Sequence, residues 1–189
     1  MEPIRELIAV DLEMTGLQVK TDRILEIGAV RLVDGQLRDT FQTFVNPHRR
    51  IDARITELTG IRSEMVEDAP EAEEALRKFL EFAGEAPFLG HNVIFDYSFL
   101  KQCAVNHKIS LERSALDTLK IARKVLKEPE KKSLEALCGY FQIDREHAHR
   151  AVDDAKATAE LFLMLQQKYQ QQEPGLFVPK PLHYKVKKQ

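Results

Sequence analysis

Residues 7–14, Leu-Ile-Ala-Val-Asp-Leu-Glu-Met, constrain the fold more than any other stretch of the chain. Strand alternation puts Ile8, Val10, Leu12 and Met14 on one face and Leu7, Ala9, Asp11 and Glu13 on the other. A strand that is apolar on both faces needs cover on both, so this one is predicted to lie centrally in a sheet. Two further β-rich runs, 24–33 and 37–45, flank Asp34-Gly35, a strong two-residue hairpin signal. The first third of the chain therefore reads as an antiparallel meander.

The remainder changes period. Residues 55–60 and 69–82 read as helical, the second with Ala72, Ala75, Leu76, Phe79 and Leu80 at helix spacing. Pro87-Phe88-Leu89 is a short buried strand, and Asn92 is placed to cap a helix running towards His107. Leu116 marks another short strand, followed by a helix carrying Leu119, Ala122, Val125 and Leu126. A charged loop at 127–132, a helix at 134–141 and a long helix from about Ala151 complete the pattern. Strands first, then helices alternating with short strands, predict an α/β sheet covered on both faces. With 189 residues, one compact domain is expected, spanning 1–168. From 169 to 189 a glutamine run, Pro174-Gly175, Pro179, Pro181 and the basic end Lys185, Lys187 and Lys188 predict an irregular tail, mobile or draped over the surface.

Composition narrows the function classes. The start Met-Glu-Pro-Ile-Arg-Glu is acidic, and no stretch has the apolar run of a signal peptide or a membrane span. A soluble, cytoplasmic protein without membrane contact is expected. Cys103 and Cys138 sit within amphipathic helices without metal-type spacing and read as reduced core residues. A formal net charge of −2 gives no general basic footprint, so any nucleic-acid role must rest on a local site.

Several acidic residues are candidates for a local site. Asp11 and Glu13 leave the same strand face roughly 7 Å apart along the chain. At the end of a buried strand two acids need a cation or a proton to offset desolvation; at an exposed strand end they are simply solvated. Asp96 falls in the first turn of its helix, an ordinary place for an acid, yet it shares the apolar stripe of Phe99, Leu100 and Cys103. Between the adjacent acids 153 and 154, helix geometry selects Asp154. Position 153 continues through Lys156, Glu160 and Gln167, whereas 154 continues through Ala157, Leu161 and Met164 and borders the core. His149 lies too far round a continuous helix to share that face, so it belongs in the preceding loop. There it can take a proton from water or, like neighbouring His147, be a plain surface residue. Carboxylates in this number suit Mg²⁺ or Mn²⁺, and no Cys/His set suggests zinc.

Residues 10–17, Val-Asp-Leu-Glu-Met-Thr-Gly-Leu, resemble the first motif of the DnaQ-like (DEDDh) 3′→5′ exonuclease family, to which the proofreading epsilon subunit of bacterial DNA polymerase III belongs. Residues 90–100, Gly-His-Asn-Val-Ile-Phe-Asp-Tyr-Ser-Phe-Leu, resemble the second, and His149-x-Ala151-x-x-Asp154 the third. The segments Leu58-Thr59-Gly60-Ile61 and Leu116-Asp117-Thr118-Leu119 also resemble intermediate parts of these enzymes. The resemblance implies a ribonuclease-H-like fold with a five-stranded mixed sheet flanked by helices, and two-metal hydrolysis releasing nucleoside monophosphates. It implies that Asp11 bridges two Mg²⁺ or Mn²⁺ ions, that Glu13 and Asp154 complete one site, that Asp96 holds the second, and that His149 is the general base. It also implies that Met14 and Thr15 read the 3′-terminal sugar through their backbone, with Asn92, Phe95 and Leu58 near the terminal nucleotides. Leu58 and Phe95 read equally as plain core.

The leading expectation is a DNA 3′→5′ exonuclease acting on single-stranded or frayed ends, free-standing or proofreading beside the DNA polymerase III catalytic subunit. An RNA-trimming exoribonuclease of the same fold is the alternative, and a binding module that has lost its chemistry is a third reading. Gln172 through Leu176-Phe177 faintly resembles a peptide that binds sliding clamps, with one extra residue after the glutamine.

Overall fold

The computed structural model describes residues 5–145 and 149–186. His147, Lys187 and Lys188 lie outside the described residues. Strand β1 (Glu6–Met14) takes the central place its two apolar faces demand. It pairs antiparallel with β2 (Ile24–Val33), which pairs antiparallel with β3 (Gln36–Phe44). The connecting Asp34 and Gly35 both have positive φ, 49° and 74°, the backbone twist that a two-residue hairpin requires. On its other side β1 pairs in parallel with β4 (Phe88–Gly90), and β4 with β5 (Ser114–Asp117).

The helices follow in chain order: α1 (Ala53–Thr59), α2 (Ser63–Val66), α3 (Ala72–Ala83), α4 (Val93–Asn106), α5 (Thr118–Val125), α6 (Leu134–Phe141) and α7 (Ala151–Tyr169). Alternation along β1 splits the core into two layers. Leu7 and Ala9 pack with Val152, Ala155 and Phe162 of α7, whereas Ile8, Val10 and Leu12 pack with Phe79 of α3 and Leu100 of α4. Alanines at 151, 155 and 159, all fully buried, give α7 the narrow face it lays on the sheet. Both cysteines are free, and burial pushes each thiol up to about 11, so neither is an activated nucleophile.

Two expectations are corrected. Among the described residues the sheet has six strands rather than five, in the order β3-β2-β1-β4-β5-β6. The sixth, β6 (Lys180–Pro181), comes from the segment read as an irregular tail and pairs antiparallel with β5. Ahead of it a 3₁₀ turn (Pro174–Phe177) sets Phe177, only 2% exposed, against Phe162 with ring centroids 6.0 Å apart. The two aromatic rings explain why a polar, proline-bearing stretch stays on the core. They also commit Phe177 to the chain's own interior, so the resemblance to a clamp-binding peptide falls on a side chain that is already buried. Among the described residues no helix is long and apolar enough to cross a membrane.

Candidate active site

The parallel strands β1, β4 and β5 end on the same edge of the sheet, the edge where open α/β sheets offer their crevice. β1 runs well past its partner, since the β1/β4 pairing covers only Ile8↔Phe88 and Ala9↔Leu89. Ile8 donates its N–H to the Pro87 carbonyl at 3.0 Å, so the N–H of Leu12, of the same parity, points to the side where β4 has already ended. Asp96 fills that gap: its Oδ1 accepts the Leu12 N–H at 3.2 Å. A carboxylate from the α4 layer is thereby held beside Asp11 and Glu13, whose side chains belong to the α7 face.

The approach of α7 depends on two residues of β2. Gly28 lies opposite Asp11, and a Cβ there would come within 2.1 Å of the Val152 nitrogen and 2.2 Å of the Ala151 carbonyl carbon. Those are backbone atoms, so any side chain would push the start of α7 off the sheet. Glu26, opposite Glu13 and completely buried, accepts from the Ala151 N–H (3.2 Å) and from both Nε (3.2 Å) and Nη2 (2.8 Å) of Arg150. This carboxylate satisfies an orphan N–H at the helix start while the fork of Arg150 neutralises it. Gly28→Ala is expected to cost about 1–3 kcal/mol through overpacking. A displacement of Asp154 by about 1 Å should also lower kcat roughly 100-fold. Thermal unfolding and single-turnover rates check the two parts.

Asp154 is buried as its helix stripe predicts, and its Oδ1 accepts from Arg145 Nε (3.0 Å) and Nη2 (2.5 Å). His149, with φ 65°, sits just ahead of the helix, outside its regular backbone. One donor atom from each of Glu13, His149 and Asp154 lies within 4.8 Å of the others. Asp11 and Asp96 are not in that tight trio, but they share its field. Desolvation, then Asp96, Glu13 and Asp154, raise the Asp11 carboxyl well above the usual range. Desolvation, then Asp154 and Glu26, push Glu13 up to about 8, and desolvation pushes Asp96 up to about 7. Carboxyls forced together like this favour a cation, and an all-oxygen set with one imidazole fits a hard divalent ion.

A profile of the exonuclease family (RNase_T) matches residues 8–162. The chain belongs to that family. It is 45% identical over 166 residues to a PolC-type DNA polymerase III of Caldanaerobacter subterraneus, and 37% identical over 161 residues to that of Bacillus subtilis. These matches cover 88% and 84% of this chain but only 12% and 11% of the relatives, so it spans about an eighth of their length. Among solved structures it resembles exonuclease X in complex with 5′ overhanging duplex DNA, with a TM-score of 0.73 at 25% identity, covering 91% of this chain and 99% of that one. The nuclease domain of 3′hExo, a DEDDh family member bound to rAMP, matches with a TM-score of 0.77 at 20% identity, covering 88% and 94%. The exonuclease fold is ribonuclease-H-like, and the mixed sheet between helical layers accords with it.

The nucleotide-contact candidates are placed unevenly in this exonuclease-family chain. Leu58 is 53% exposed, so its reading as plain core does not hold, whereas Phe95 is half-buried and meets Phe99 edge-on at 5.5 Å. Asn92 precedes α4 in the left-handed region (φ 68°) but makes no side-chain capping bond; its own N–H donates to Asp117 Oδ1 at 3.0 Å. The Thr15 N–H donates to the Arg23 carbonyl at 2.9 Å, so that amide is committed to closing its loop. Glu26, Asp117 and Arg145 also shape the site, although the sequence assigns none of them a role there and Asp117 enters only within the Leu116-Asp117-Thr118-Leu119 segment. Glu26 is visible as a lone acid within an apolar strand, and Asp117 as a helix cap. Arg145 carries no local signal.

Proposed function

We propose that the chain is a metal-dependent exonuclease that removes nucleoside monophosphates from DNA 3′ ends. The observation that carries this reading is the convergence of Asp11, Glu13, Asp96 and Asp154 with His149 at one edge of the sheet. Asp11, Glu13, Asp96 and Asp154 would hold two divalent ions, which supply charge to the phosphate and a lowered pKa to a water. His149, held outside the helix, takes the proton from the attacking water at one of its ring nitrogens. Asp96, tied to the Leu12 amide, keeps its carboxylate at the lip of β1, and the Glu26–Arg150 pair holds the helix that presents Asp154. Exposed Leu58 and the partly buried Phe95 ring offer apolar surface to the terminal base.

Hydrolysis of 5′-labelled single-stranded DNA and RNA of matched sequence tests the reading. A ladder shortening from the 3′ end with Mg²⁺ or Mn²⁺, none in EDTA, and faster loss of DNA than RNA are expected. Faster RNA trimming would move the chain to the exoribonuclease reading, and no cleavage of either would leave a binding module. His149→Ala should lower kcat about 10²–10⁴-fold while calorimetric Mn²⁺ affinity is retained. Loss of Mn²⁺ binding would instead make His149 a ligand.

The PolC-type relatives support a second part: the exonuclease works with a DNA polymerase III catalytic subunit. Co-elution of the two at micromolar concentration is expected, and separate elution would remove this part alone.

A further inference from the structure

An open groove of about 780 Å³ begins at His91 and Asn92 and runs between α5 and the loop 126–133. Its mouth lies where β4 and β5 end, on the sheet edge that carries Asp11 and Glu13, and Asn92 there is four residues before Asp96.

The groove differs in charge from the rest of the chain. Residues 119–134 hold six cationic side chains and two glutamates, in a protein whose formal net charge is −2. Arg123 and Lys131 line the groove, are exposed, and have no carboxylate partner among the described residues. Lys132 also lines it and gives its ammonium to the carbonyls of Lys127 and Pro129, with no carboxylate partner among the described residues. Glu130 is the one acid among the residues lining the wall. The loop is held in place from below. His91, whose pKa burial lowers, bonds the Lys132 carbonyl through Nε2 at 2.8 Å and Thr118 Oγ1 through Nδ1 at 2.9 Å.

We infer that this groove carries the phosphodiester backbone of the substrate strand on the 5′ side of its terminal nucleotide, with Arg123 and Lys131 as phosphate contacts. The inference rests on the exonuclease reading for the identity of the strand. Charge complementarity selects the occupant: a polyanion gains from unpaired cations on an otherwise acidic protein, and the acidic cluster on the same sheet edge is placed to receive the scissile phosphate with its metal ions. Phosphate contacts of this kind position a strand without reading its sequence.

The test measures binding and turnover separately in the full chain. Binding of a fluorescent single-stranded 15-mer is followed by anisotropy in Ca²⁺ across a salt series, for wild type, Arg123→Glu/Lys131→Glu and the milder Arg123→Gln/Lys131→Gln. Loss of two phosphate contacts should lower the slope of log affinity against log salt by about 1.4. Affinity should fall on the order of tenfold at low salt. Arg77→Glu/Lys78→Glu on α3, with the same change in net charge, should leave the slope near the wild-type value. In turnover, KM for the 15-mer should rise while hydrolysis of the p-nitrophenyl ester of thymidine 5′-monophosphate, which has no upstream strand, stays unchanged. An unaltered salt slope in both groove variants would overturn the inference, as would an equal loss on the ester and the 15-mer. If wild type cleaves neither substrate, the exonuclease reading fails, and the anisotropy series still decides the groove.

Discussion

Asp11→Asn is expected to lower exonuclease turnover by at least about 10³-fold, equivalent to about 4 kcal/mol of transition-state stabilisation, while making the protein in EDTA more stable. The two effects have one cause. Burial strips Asp11 of solvent, and the charges of Asp96, Glu13 and Asp154 add their repulsion. Replacing its charge with an isosteric amide relieves that repulsion and removes the group that would bridge the ions. A gain of about 1–2 kcal/mol corresponds to a rise in Tm of roughly 2–8 °C for a chain of this size. Thermal unfolding in EDTA and single-turnover hydrolysis in Mn²⁺ give the two readouts. A lowered Tm would mean that Asp11 is held by favourable partners, and retained turnover would remove it from the chemistry.

The stability of the metal-free protein should fall as pH rises from about 4.5 to 8, opposite to the behaviour of a protein held by carboxylate ion pairs. The folded state raises Asp11, pushes Asp96 up to about 7 and Glu13 up to about 8. Their unfolded values are lower, so across this window the folded state binds more protons than the unfolded one. The slope of unfolding free energy with pH is then negative. A protein in EDTA is expected to melt at least about 5 °C lower at about pH 8 than at about pH 5.5. A divalent cation that binds only the folded state adds about 4 kcal/mol at roughly a thousand times its Kd, and its binding should be strongest where the carboxyls are ionised. Mn²⁺ at the higher pH should therefore recover the loss, with little effect at the lower. Equal Tm values at the two pH values in EDTA would show that the carboxyls do not carry this repulsion.

Much of the candidate site is legible in the sequence because its residues lie in local periodic patterns. Asp11 and Glu13 share a strand face by alternation, and the choice of Asp154 over Asp153 follows from which helix stripe borders the core. Asp154 is buried and Asp153 partly exposed, as the two helix stripes predict. The hairpin at Asp34-Gly35 is equally local, since only a few residue pairs tolerate two positive φ angles. The tail departs from its sequence reading for a physical reason. Its composition disfavours regular structure in isolation, yet β5 leaves an open edge and Phe162 an apolar seat, and neither is visible from residues 170–189 alone.

The central strand, the meander, the order of the motifs and the residue types suited to a hard metal ion all follow from the amino-acid order, because each depends on neighbours within a few positions. How those residues meet is a matter of the folded chain. The early end of β4 leaves the Leu12 amide for Asp96, the missing side chain at Gly28 lets α7 approach, and Glu26 reaches across 124 residues to Arg150. Arg145 beside Asp154 and the cationic groove at Asn92 belong to the same class. The acid at Glu26 and the cations of 120–132 are visible in the sequence, but what each charge faces is a product of chain packing, decided by long-range contacts.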